Sequence, residues 1–194
     1  MQLRGAGITV FCGSSPGADP RFLAQARALG AALACDGAVV VYGGASVGLM
    51  GAVADAALAA GGRVTGVIPR PLVERELAHR GLTQLHVVET MHERKALMSR
   101  QAHGYVVLPG GFGTWEEMLE VVTWKQMGLH KKPVVLVNVG GYYASLLAQV
   151  QTAVTDGFMR PHFLTYITVV ESAEAAVAAL RAFAEPGEDI GKWA

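Results

Sequence analysis

Seven short apolar runs, each closed by a turn and followed by a helix-length segment, limit what this chain can fold into. They are "GITVFCG" (7–13), "AVVVYGG" (38–44), "RVTGVIP" (63–69), "LHVVET" (85–90), "GYVVLPGG" (104–111), "KPVVLVNVGG" (132–141) and "YITVVES" (166–172). Helical patterns fill the gaps at about 20–35, 48–62, 91–102, 114–127, 142–156 and 173–184. Only "RPLVERELAHRGL" (70–82) reads as irregular. Continuous apolar strands are those covered on both faces. Strand–helix alternation over the whole length therefore predicts an α/β fold, a doubly wound parallel sheet of about seven strands, Rossmann-like, with right-handed crossovers. One nucleotide-binding domain is expected over 1–185, with a loose tail at 186–194.

Composition supports this frame and removes some partners. Hydrophobic residues make up 52% of the 194 residues and charged residues 16%, with a formal net charge of zero. A zero balance offers no electrostatic footprint for nucleic acid or an anionic membrane. No apolar run reaches the roughly 18 residues needed to span a bilayer. "MQLRGAGITVFCG" lacks the pattern of a secretory signal, and Cys12 and Cys35 give neither a disulfide framework nor metal spacing. A cytoplasmic location is the expectation.

In such sheets ligands sit outside the carboxyl ends of the strands. The loops on that edge are "CGSSPG", "YGGASVG", "IPRPL", "TMHERK", "PGGFGT" and "NVGGYY", nearly all rich in glycine or proline. The helix following each loop starts on the same edge, so Arg94 and Lys95 face the crevice that receives Glu116 and Glu117. "PGGFGT" offers backbone N–H groups, a positive helix end and the Thr114 hydroxyl, which suit a phosphate. It is not a Walker loop, because no lysine follows the glycines where one is required. The competing reading is a tight strand-to-helix turn in which Thr114-x-x-Glu117 forms a capping box. On local grounds the cap is the better account of Glu117.

Other candidates divide in the same way. "YGGASVGLMG" brings Gly43 and Gly44 close to a nucleotide-like ligand, but no acidic residue ends the next strand, so it is not an NAD site. Arg94 and Lys95 near a helix start read either as surface cations or as a sign of an anion or an acidic partner nearby, since the dipole disfavours cations there. Ser14 and Ser15 bind a polar group or cap the first helix. Cys12 reads as a small buried residue, His92 as a surface one and Glu76 as solvated. In "TWEEMLEVVTWKQMG", apolar residues at 115, 118, 119, 121, 122, 124 and 127 cover more than one face. A single sheet-facing stripe is narrower. A homodimer packed through this helix is expected.

Together "VFCGSSPG", "VYGGASVGLMGAVADAAL", "GVIPRPL", "MHERKALM" and "LPGGFGTWEEM" resemble the Lonely Guy family from about residue 7 to about residue 170. These are cytokinin riboside 5'-monophosphate phosphoribohydrolases, often labelled lysine decarboxylases. The resemblance implies a dimeric Rossmann-like hydrolase that splits a nucleoside 5'-monophosphate into free base and ribose 5-phosphate. It makes Arg94 and Glu117 the catalytic pair. It places Glu76, Lys95, Gly110, Gly111, Phe112, Gly113, Thr114, Trp115, Glu116 and Thr123 at the substrate, with Gly43, Gly44 and Ser14 alongside. Ala45 departs from a usual third glycine, and Phe22 from a frequent tyrosine. No cofactor and no metal are expected, because no ligand cluster and no lysine in a Schiff-base context are visible. A broader AMP nucleosidase and a non-catalytic binder of a phosphorylated ligand, such as molybdenum cofactor, remain the alternatives.

Overall fold

The computed structural model describes residues 1–75 and 77–185; Glu76 and the tail expected at 186–194 lie outside the described residues. The strands are β1 (Gly7–Phe11), β2 (Val39–Tyr42), β3 (Arg63–Pro69), β4 (Gln84–Val88), β5 (Gly104–Val107), β6 (Val134–Val137) and β7 (Thr168–Val170). They form one sheet in the order β4-β3-β2-β1-β5-β6-β7, and every pairing is parallel. The helices are α1 (Pro20–Cys35), α2 (Gly48–Ala59), α3 (Arg70–Glu74), α4 (Met91–Gln101), α5 (Phe112–Gln126), α6 (Ala144–Thr155) and α7 (Ala173–Ala182).

Alternation along each strand feeds two cores. On one face Ile8, Val10, Val40, Tyr42, Val106, Leu108, Val135 and Val137 pack under α1, α2 and α7. On the other, Phe11, Val41, Tyr105, Val107, Val134 and Leu136 pack under α4, α5 and α6. The expected two-sided sheet is thus observed: its central strands β1, β2, β5 and β6 are buried on both faces, whereas the edge strands β4 and β7 are partly exposed.

The helix starts follow local chemistry. The Asp19 carboxylate accepts from the Arg21 N–H at 2.9 Å, with Pro20 at the first helical position of α1. Thr90 caps α4 by accepting from the Glu93 N–H at 3.1 Å, and the Glu93 carboxylate reaches back to the Glu89 N–H at 2.9 Å. The threonine-to-glutamate capping arrangement therefore occurs at Thr90–Glu93. Ser172 caps α7 in the same way.

Three details differ from the sequence reading. The strands end earlier than the apolar runs, because Cys12–Gly13, Gly43–Gly44 and Leu108–Gly111 already belong to the edge loops. The irregular 70–82 segment contains the single-turn α3 and an isolated antiparallel bridge between Ala45 and Ala78. Finally, α5 starts two residues early, with Gly111 as its cap and Thr114 already inside the first turn.

This topology positions the site. α1 leaves β1 over one face of the sheet, and α5 leaves the adjacent β5 over the other. The two loops part at that junction, and a crevice opens between them. No helix among the described residues is long and apolar enough to cross a membrane.

Candidate active site

The crevice is a cavity of about 370 Å³, within the usual range for small-molecule sites. Five segments line it. The end of β1 supplies Cys12, Gly13 and Ser14; the loop after β2 supplies Gly43, Ala45 and Val47. Met50, Leu72 and Leu77 close one side, Met91 and Arg94 come from α4, and 111–114 with Glu116 and Glu117 come from α5.

At its centre the Arg94 Nη2 donates to Glu117 Oε1 at 3.0 Å, joining α4 to α5. Both side chains are nearly withdrawn from water, with 11% and 7% exposure. Arg94 Nη1 also lies 3.7 Å from the Met91 sulfur. Its Nε is buried with no partner among the described residues. Burial pushes the Glu117 carboxyl above the ordinary carboxylate range, and the Arg94 charge works against that push. The capping reading of Glu117 fails here: the carboxylate meets Arg94 in the crevice, and Thr114 is not a cap.

Gly43 makes room for the pair. A Cβ there would lie 2.3 Å from Arg94 Nη2 and 3.1 Å from the Met50 sulfur, so any larger residue displaces the guanidinium. The β5 loop is packed as tightly. A Cβ on Gly110 would lie 2.1 Å from Thr114 Oγ1 and 2.8 Å from the Gly13 nitrogen. Gly13 N–H donates to the Pro109 carbonyl at 3.0 Å, tying the β1 and β5 loops together. With Gly111 as cap, the N–H groups of Phe112, Gly113 and Thr114 have no partner within the helix and open toward the cavity.

The expected residues do not all converge. Gly43, Ser14, Gly111, Phe112, Gly113, Thr114 and Glu116 line the cavity with Arg94 and Glu117. Gly110 braces the loop from behind, and Gly44 takes the turn at a φ of +76°. Trp115 points away from the cavity and stacks edge-on against Phe112. Lys95 turns outward: its ammonium pairs with Glu116, and with Glu120 at 3.0 Å. Burial alone lowers the Lys95 pKa; the hydrogen bonds to Glu116 and Glu120 more than offset this and leave it raised. Thr123 is exposed on α5 and donates to the Leu119 carbonyl at 2.7 Å, well away from the crevice. Glu76 lies outside the described residues. Burial pushes the Cys12 thiol far up, with the Glu117 charge adding to it, so the thiol stays protonated and inert.

A family model described as "Possible lysine decarboxylase" matches residues 50–180. A cytokinin riboside 5'-monophosphate phosphoribohydrolase from Rhodococcoides fascians is 47% identical over 175 residues, covering 90% of this chain and 88% of that protein. The chain belongs to the Lonely Guy family. A cytokinin riboside 5'-monophosphate phosphoribohydrolase from Arabidopsis thaliana is 45% identical over 183 residues, covering 94% of the chain and 84% of the relative. Among solved structures, the molybdenum cofactor binding protein of Rippkaea orientalis superposes with a TM-score of 0.71 at 22% identity, covering 93% of this chain and 98% of that one. The likeness concerns the fold.

Within this Lonely Guy chain, some site residues escaped the sequence reading. Tyr142 donates to the Gly110 carbonyl at 2.7 Å and Tyr143 to the Leu108 carbonyl at 2.7 Å, so the β6 loop braces the β5 loop. The adjacent tyrosines in "NVGGYY" were the available signal. The apolar wall of Ala45, Val47, Met50, Leu72, Leu77 and Met91 left no pattern, because it is gathered from five loops and helix starts. No lysine lines the cavity among the described residues. A pyridoxal-phosphate decarboxylase, as the family description suggests, needs one.

Proposed function

We propose that this chain hydrolyses the N-glycosidic bond of a nucleoside 5'-monophosphate, with a cytokinin-type base preferred. The observation that carries the reading is the buried Arg94–Glu117 pair facing the open N-terminus of α5 across one cavity. The phosphate sits at the free N–H groups of 112–114, with the hydroxyls of Thr114 and Ser14 beside it. Holding the phosphate there fixes the ribose and converts remote binding into positioning.

Glycosidic cleavage builds positive charge on the ribose. The Glu117 carboxylate stabilises that charge and takes a proton from the attacking water, whose oxygen bonds to the anomeric carbon. The base leaves with the electron pair of the broken bond, Arg94 stabilises the negative charge it gathers, and the proton held by Glu117 then passes to the base, which releases it neutral and restores the carboxylate. The chemistry asks for a poorly solvated carboxylate held beside a cation, and Glu117, 7% exposed, lies 3.0 Å from Arg94. The relatives are named for cytokinin riboside monophosphates. The apolar wall of Val47, Met50, Leu72, Leu77 and Met91 suits an apolar substituent on the base.

Purified protein should release free base and ribose 5-phosphate from both AMP and isopentenyladenosine monophosphate. An apolar pocket gives a preference for the substituted base of about 10- to 200-fold in kcat/KM. Absence of base release from every nucleotide tried ends the proposal. Equal use of AMP and its prenylated form moves the assignment to a broad nucleotide nucleosidase.

A homodimer completes the proposal. Phe112, Leu119 and Met127 are exposed along one side of α5, and Leu129 follows at 69% exposure. Thr123 lies in the same stripe. An uncovered stripe of this kind beside a cavity marks a protein interface. Sedimentation should give a dimer mass for the wild type and a monomer mass for Leu119→Asp; a wild-type monomer at micromolar concentration rejects it. Soluble action in the cytoplasm fits Cys12 and Cys35, both free thiols.

A further inference from the structure

Five charged groups crowd the facing turns of α4 and α5: Arg94 and Lys95 on one helix, Glu116, Glu117 and Glu120 on the other. They do not mix. Arg94 takes Glu117 inside the crevice, and Lys95 takes Glu116 and Glu120 on its outer side. We infer that Lys95 is a positioning residue of this site, holding Glu116 and Glu120 so that Arg94 pairs with Glu117 alone. This rests on the reading of Glu117 as the active carboxylate.

The geometry makes the partition necessary. Glu116 and Glu120 are one helical turn apart on the same side of α5, so a single cation between them satisfies both. The Lys95 side chain is only 11% exposed, although its partners are 53% and 26% exposed. Its ammonium is held between the helices by those two carboxylates. Glu116 also lines the substrate cavity. Released from Lys95, it stands one residue from Glu117 and competes for the same guanidinium.

The charges that face Glu117 are Arg94 and Lys95 from α4, Glu116 and Glu120 from α5, and the neutral thiol of Cys12 from the end of β1. Glu116 and Glu120 push the Glu117 carboxyl up; Arg94 and Lys95 push it down. Removing Lys95 deletes one downward influence and unmasks two upward ones. Lys95 thus lowers the proton affinity of the Glu117 carboxyl without touching the substrate.

The test compares pH profiles of kcat/KM for base release from AMP in the wild type, Lys95→Met, Lys95→Arg and the triple variant K95M/E116Q/E120Q. Methionine keeps the apolar stem, so the fold is retained. Lys95→Met should lose about tenfold near pH 5 and less than about twofold near pH 8, its acid limb moved to higher pH. Lys95→Arg should keep the wild-type limb, and the triple variant should return it to the wild-type position. A pH-independent rise in KM in Lys95→Met, not relieved by the glutamine changes, makes Lys95 a phosphate ligand and overturns the inference. The carboxyl-carbon NMR titration of Glu117, assigned by its loss in Glu117→Gln, needs no turnover. Its midpoint should move up in Lys95→Met, and an unmoved midpoint also overturns the inference. A moved midpoint in a protein that hydrolyses no nucleotide rejects the proposed reaction and leaves the role of Lys95 standing.

Discussion

Replacing Glu117 with glutamine should lower kcat for base release by roughly a thousandfold or more while leaving the fold in place. A positioned carboxylate acting as general base contributes about 10²- to 10⁴-fold. Glu117 is asked for more, since the same oxygens stabilise charge on the ribose in a site largely closed to water. Glutamine has nearly the same shape and keeps an oxygen for the Arg94 Nη2 contact, now 3.0 Å long. It cannot accept the proton, and it carries no charge to oppose that of the sugar. Structurally the exchange is mild. It removes a buried carboxylate that burial holds above its ordinary range, and leaves Arg94 with a neutral partner. These effects oppose each other, so thermal stability should change by no more than about 1 to 2 kcal/mol. The measurement is product release beside a thermal melt. Full activity in a folded Glu117→Gln protein rules out the assignment of Glu117.

Much of this was legible because the sequence pattern and the topology constrain each other. Seven apolar runs separated by helix-length segments allow little besides a parallel doubly wound sheet, and the glycine loops then fall on one edge. Spacing placed Arg94 and Lys95 on the same edge as Glu116 and Glu117, and the family resemblance singled out Arg94 and Glu117 among them. What local pattern misassigned was the cap. Thr114-x-x-Glu117 matches a capping box as well as Thr90-x-x-Glu93 does, yet only Thr90 accepts the cap hydrogen bond, with Glu93 reaching back to the Glu89 N–H. The difference lies in the residues before each. Gly110 and Gly111 let the chain enter α5 early and close against Gly13, which places Thr114 in the first turn. Glu117 is then free to meet Arg94.

Two features were beyond local reading for a different reason. The direction of Lys95 depends on which carboxylates a neighbouring helix presents, and Glu120 was not among the candidates. Thr123 shares α5 with the site, but two helical turns separate it from Glu117, and it emerges on the exposed stripe. A helix that carries catalytic residues at its start need not present its later residues to the same ligand.

Arg94→Ala should produce the largest loss of stability at this site, and the loss should depend on pH. The mutation leaves the Glu117 carboxylate buried without its cation, in a pair whose side chains are 11% and 7% exposed. Breaking a buried pair on one side costs about 3–5 kcal/mol, a large share of the stability of a domain of this size. Burial already raises the Glu117 carboxyl above its reference value of 4.5, and Arg94 is the first influence against that rise. Without Arg94 the folded state holds the proton to still higher pH, while the unfolded state releases it near the ordinary value. The folded state then binds more protons than the unfolded one across that window. Stability therefore falls as pH rises through it and recovers as pH is lowered. The melting deficit of Arg94→Ala should be greatest near pH 8 and smallest near pH 5. Adding Glu117→Gln should restore most of the loss at pH 8, because no charge is left to strand. A remainder should persist from the space the guanidinium vacates beside Gly43 and Met50. A deficit of equal size at both pH values, unrelieved by Glu117→Gln, means that Arg94 stabilises the fold through packing alone and that the pair carries no buried charge.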